Sequence, residues 1–113
     1  ELATAVYLRA PYKWDLENYA ATDVDGVQVR TVSDFNKRLI THDYDPLAPY
    51  VLAVADYGTA SVVLRGWLHL RHCNVRAYWR GDLRAPAYFV PATELHPMAM
   101  LRSEYTKRKR RCA

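Results

Sequence analysis

Cysteine is scarce in this chain: Cys73 and Cys112 are its only two, and they lie 39 positions apart. A small domain stapled by disulfides needs more cysteines at closer spacing, so a reduced intracellular protein is expected instead. Glycine is nearly as thin. Only Gly26, Gly58, Gly66 and Gly81 occur, far apart, so no glycine-rich phosphate loop can be written and nucleoside-triphosphate chemistry is disfavoured. Neither Ser33 nor Ser61 sits in a Gly-x-Ser-x-Gly nucleophile elbow. No apolar run approaches the roughly 18 residues that span a bilayer, and no membrane partner is expected. Nothing at the N-terminus reads as a signal peptide, so secretion is not expected, and the opening Glu1 is expected to reflect a trimmed start.

What remains is an ordinary globular composition, half apolar and a quarter charged, in 113 residues. That length is one domain and needs no staple, since such help becomes usual only below roughly 40 residues. The net charge of +4 is unevenly placed. Arg102, Lys107, Arg108, Lys109, Arg110 and Arg111 crowd the last twelve residues against one acid, Glu104, and the body before them is near neutral. The expected organisation is an α/β domain over 1–101 and a basic, flexible tail over 102–113. A basic run of this kind is solvated on its own and engages polyanions such as nucleic acid.

The strongest strand signal is Tyr50-Val51-Leu52-Ala53-Val54-Ala55, a continuous apolar run without alternation. Such a strand is covered on both faces, in the middle of a sheet. Gly58-Thr59 turns the chain, and Ser61 to Trp67 returns, giving a hairpin core over 50–56 and 61–67. Asp25-Gly26 is a turn signal ahead of the alternating strand Val27 to Thr31. Phe35 to Ile40 is expected as a short helix or an extended arm. Leu68 to Arg80 is expected to be partly helical, from the spacing of Leu70, Cys73 and Ala77. Ala87 to Val90, between Pro86 and Pro91, reads as an edge strand. Thr93-Glu94-Leu95 starts a last turn that His96-Pro97 breaks. These elements predict an α/β (α+β) domain with a central mixed sheet and one or two flanking helices.

Three stretches in this order resemble the PD-(D/E)XK nuclease-like proteins of bacteriophages and mobile elements. They are Asp25-Gly26-Val27-Gln28-Val29-Arg30-Thr31, the hairpin Pro49 to Val54 with Val62 to Trp67, and Pro86 to Pro91 running into Leu95-His96-Pro97-Met98. The resemblance implies a restriction-endonuclease-like fold and metal-dependent phosphodiester hydrolysis, with Mg²⁺ or Mn²⁺ as cofactor. It implies a catalytic set drawn from Asp15, Asp23, Asp25, Gln28 and Arg30, with Asp15, Asp23 and Asp25 as metal ligands. Carboxylates suit that work because Mg²⁺ is hard and takes oxygen ligands. The family pattern, however, has an acid two residues before a lysine, where this chain has Gln28 and Arg30. A glutamine offers only a neutral oxygen, and an arginine clamps phosphate but cannot serve as a base. The competing expectation is a catalytically inactive interaction or virion structural protein on the same scaffold, or a small inhibitor of a host enzyme.

Nucleic acid is the expected partner, with other viral proteins as further partners in the host cytoplasm or the virion. The residues expected to meet it are Tyr78, Trp79 and Arg80, which can stack bases beside phosphates. Lys107, Arg108, Lys109, Arg110 and Arg111 join them through charge. His69-x-x-His72-Cys73 has the spacing of a zinc half-site without an evident partner segment, and a partly buried histidine pair beside a core cysteine is the simpler reading. The loop His42-Asp43-Tyr44-Asp45 could hold a catalytic dyad.

Overall fold

The apolar run at residues 50–55 organises the molecule. The computed structural model describes Thr4, residues 26–56 and residues 58–112, with residues 109–112 by backbone alone. Strand β3 (Pro49–Asp56) pairs antiparallel with β4 (Ser61–His69), as the sequence predicts, and all residues from Tyr50 to Ala55 are buried. Alternation splits the run between two cores. Val51 and Ala53 point to one cluster, while Tyr50 and Leu52 point to the other. The turn between the strands is tied by Asp56, whose Oδ1 accepts the N–H of Gly58 at 2.9 Å. Ala60 closes it with a φ of 55°, a left-handed conformation that favours glycine.

Strand β1 (Gln28–Val32) lies on the other side of β3 and parallel to it, with Gln28 opposite Tyr50 and Val32 opposite Val54. The three-stranded sheet is therefore mixed, in the order β1-β3-β4. The crossover from β1 to β3 passes through β2 (Leu39–Thr41), which belongs to a second sheet. That segment, expected as a helix or arm, is a turn on Asp34 followed by a strand. The second sheet is antiparallel in the order β2-β6-β5, from β5 (Trp79–Arg80) and β6 (Ala87–Val90). The sequence placed Ala87–Val90 at an edge. It is the central strand, because Pro86 and Pro91 bound it rather than sit in it, so no ladder donor is lost.

Each face of the mixed sheet is covered differently. Tyr50, Leu52 and Leu68 meet Leu39 and Val90 of the second sheet, together with Leu70 and Cys73 of a short helix α1 (Leu70–Cys73). After α1 the chain makes a 3₁₀ turn and enters β5, so the region expected as helix is helical only in part. The opposite face, with Val27, Val29, Val51 and Ala53, is covered by α2 (Met98–Cys112) through Met98, Leu101 and Tyr105. This helix corrects the expectation of a flexible tail from residue 102. Pro97 stands just before its first turn, where a missing N–H and a fixed φ favour a start rather than a stop. Met98, Leu101 and Tyr105 form an apolar stripe at helical spacing that the surrounding charge hides. The described residues thus form an α+β arrangement of one mixed and one antiparallel sheet with two helices. Asp15, Asp23 and Asp25 lie outside them.

Candidate functional site

Gln28 and Arg30 do share one face of β1, as alternation requires, and it is the face turned away from α2. Gln28 is 4 % exposed. The Arg30 guanidinium lies 3.3 Å from Asp45 Oδ1 and 5.1 Å above the Tyr50 ring. The Asp45 side chain is only 6 % exposed, and its Oδ2 accepts the His42 backbone N–H at 2.8 Å. The loop 42–45 is thereby pinned to β1 by an ion pair and a local turn. Thr41 and Asn74 extend this bracing, since Asn74 accepts from Thr41 Oγ1 at 2.6 Å and donates to the His42 carbonyl at 3.0 Å. Among the described residues, no group of three or more His, Cys, Asp or Glu side chains is placed to hold a metal ion. Cys73 does not offer a thiolate beside His69 and His72, because burial pushes its thiol up to about 12.

A cleft of about 490 Å³ opens on the α2 side of the molecule. Apolar Val27 and Leu101 line it together with the rings of Tyr105, Trp67 and His96. Among the described residues, Arg71, Lys107 and Arg108 bring three cations to its lining and Glu104 one carboxylate. Three of the four histidines of the chain, His69, His72 and His96, line it as well. Burial, with Arg71 and then His72 nearby, holds the His69 pKa below the usual histidine value. Its Nδ1 accepts the Arg71 backbone N–H at 3.2 Å and caps α1. The neutral ring therefore carries its proton on Nε2.

Local sequence explains why these groups meet. The β3–β4 register slips between Leu52 and Ala53, so that Gly66 faces Leu52, Leu64 faces Ala53 and Arg65 is the extra residue. Beside this bulge, Gly66 lets the 95–97 segment approach. A Cβ there would stand 2.8 Å from Leu95 Cβ and 2.9 Å from the His96 carbonyl oxygen. Trp67 and His96 then exchange backbone hydrogen bonds of 3.1 and 2.8 Å, and Trp67 Nε1 donates to the Pro97 carbonyl. Their rings meet at 5.3 Å. On the far wall, Arg108 packs over Tyr105 and over Gly26, whose φ of 91° opens β1.

The residues expected to meet nucleic acid are divided by the fold. Lys107 and Arg108 reach the cleft, whereas the side chains of Lys109, Arg110 and Arg111 lie outside the described set. Tyr78 packs on the second core cluster. Trp79 remains 40 % exposed and leans on the Tyr88 ring at 4.8 Å, and Arg80 is forked to Asp82 at 3.2 and 3.3 Å. The sequence reading missed Trp67, Arg71 and His96 as parts of one site. The concentration of three histidines within residues 69–96 was the available signal. No helix among the described residues is long and apolar enough to cross a membrane. No family model matches the chain, no curated protein is similar to it in sequence, and no solved structure is similar to it in fold.

Proposed function

We propose that this protein binds nucleic acid, with the cleft and the basic helix α2 as its contact surface. The observation that carries the reading is the convergence of Arg71, Lys107 and Arg108 on one concavity, with Trp67, Tyr105 and His96 in its lining and Glu104 as the carboxylate among the described residues. Cations position phosphates and aromatic faces accept bases, which is the combination used for sequence-tolerant binding of single strands. The test is fluorescence anisotropy with labelled single-stranded and duplex oligonucleotides at several salt concentrations. Salt-sensitive binding weakened in Arg71→Gln and Lys107→Gln is the expected result. Binding that ignores both substitutions, or no binding, counts against it.

Hydrolysis is the second reading, supported by the resemblance to PD-(D/E)XK nucleases and by the hairpin β3–β4 beside a glycine-led β1. A restriction-endonuclease-like fold is part of that proposal. Asp15, Asp23 and Asp25 would be the carboxylates that take Mg²⁺ or Mn²⁺. Against it stand the buried Gln28 and the engagement of Arg30 by Asp45, which do not suit a pair that must address a scissile phosphate. For this reason binding without cleavage is preferred, as in an interaction or virion protein. Incubation of plasmid and single-stranded substrates with Mg²⁺ or Mn²⁺ separates the two. Cleavage that disappears in Asp23→Ala or Asp25→Ala establishes the nuclease.

A further inference from the structure

Strand β4 pairs with β3 along one side, and its other side is closed over only part of its length. At Trp67 the 95–97 segment closes it through the bridge to His96. Over residues 61–64 no described segment pairs with it, and Val62 and Val63 are 49 % and 50 % exposed. Helix α2 leaves this stretch clear, since it starts beside Trp67 and ends over Gly26, next to β1 on the far side of the sheet. Sheet edges are ordinarily guarded by lysine, by proline or by charges turned inward, and Ser61-Val62-Val63-Leu64 carries none of these. The bulge at Arg65 ends the open stretch without breaking into it.

Geometry selects the occupant of this edge. Two copies of one strand meet edge to edge, antiparallel, about a two-fold axis normal to the sheet. That axis does not exchange the faces, and opposed residues share a face, so the allowed registers place one residue opposite itself. Centring on Val63 sets Val62 against Leu64 of the second copy, and Ser61 against Arg65 of the second copy. The central pairs are then all apolar and no like charges are opposed. Arg65 is also drawn toward Asp56 of the second copy, because Asp56 is the cross-strand neighbour of Ser61. Centring on Val62 or Leu64 instead sets Val63 against a serine or an arginine.

We propose that the protein dimerises through residues 61–64 of β4, which joins two three-stranded sheets into one of six strands. Because the axis is normal to the sheet, both α2 helices lie on one face, and the two clefts with them. A single strand long enough to span both clefts is held twice, a consequence that rests on the nucleic-acid reading.

The experiment is sedimentation velocity of the full chain, cleared of nucleic acid, from micromolar to near-millimolar concentration. A reversible monomer–dimer equilibrium is expected. Val63→Lys opposes two cations at the axis and should weaken it about ten-fold, with the melting transition nearly unmoved because Val63 is half exposed. The register has its own readout. In a Cys112→Ser background, Val63→Cys sets two thiols face to face, whereas Val62→Cys, equally exposed, meets Leu64. Oxidation should link the Val63→Cys protein into dimers about ten-fold faster than the Val62→Cys protein. Equal rates overturn the proposal, as does a monomer at every concentration. Association indifferent to Val63→Lys, or growth beyond the dimer, overturns it too, since an isologous contact closes at two copies. Oligonucleotide binding by the single copy, read by anisotropy, stands or falls separately.

Discussion

Gly66 shows how one residue positions chemistry at a distance. The strand β4 could carry a larger side chain there only by pushing away Leu95 and the His96 carbonyl. Gly66→Ala should therefore destabilise by ~1–3 kcal/mol, the usual range for overpacking, as read by urea unfolding. It should also weaken ligand binding, since His96 and the Trp67 wall move together. His69 makes a different forecast. Its pKa is lowered from 6.5, so the fold favours the neutral ring and the unfolded chain takes up the proton first as the solution is acidified. Its contribution is complete above the unfolded value of 6.5 and is lost as pH falls through the lower folded value. Urea midpoints measured from about pH 7.5 down to about pH 5 should decline, and His69→Asn should flatten that decline. Asparagine keeps an acceptor for the Arg71 N–H without titrating, so an unchanged slope would remove His69 from the account. Cys73 gives a third test. Fully buried, with its thiol pushed up to about 12, it should resist alkylation in a Cys112→Ser background until the protein is unfolded.

At the scale of elements, legibility followed the number of roles each residue plays. The run Tyr50 to Ala55 announced its strand because both faces are buried and every position says the same thing. Its hairpin partner was equally plain, but the bulge at Arg65 was not, since an extra residue alters pairing without altering composition. Strand β6 looked like an edge because Pro86 and Pro91 flank it, and its neighbours, three residues in β2 and two in β5, are too short to register as strands. Helix α2 was hidden by its own charge. Pro97 reads as a stop or as a start, and only the burial of Met98, Leu101 and Tyr105 against β1 and β3 decides between them. The cleft itself was illegible, because Arg71, His96 and Lys107 are joined by packing and by no local pattern. A consequence of this packing is measurable. Tyr105→Ala should cost ~3–5 kcal/mol, on the scale of truncating a buried aromatic, and removal of residues 102–113 should cost at least as much. A melting transition indifferent to that truncation would restore the picture of a tail.

The molecule as a whole separates a nearly neutral body from a basic C-terminal helix, and this asymmetry sets how binding should respond to salt. Because Leu101 and Tyr105 lock α2 into the core, the charges cannot be tested by deletion without also testing stability. Replacing Lys107, Arg108, Lys109, Arg110 and Arg111 together by glutamine avoids that confusion, since glutamine has nearly the same helix propensity. Each phosphate neutralised contributes about 0.9 to the log–log salt slope on duplex DNA and about 0.7 on a single strand. If most of the five take part, the substituted protein should lose about 2–3 units of slope on single strands, with its melting transition nearly unmoved. The weakening should be alike for all sequences, because phosphate contacts position without specifying. A slope left intact would instead move the electrostatic contact to the second sheet, where Trp79 is exposed beside Tyr88 and Arg76 stands free of the Arg80–Asp82 fork. That outcome would detach helix α2 from binding and leave it the single task of covering Val27, Val29, Val51 and Ala53.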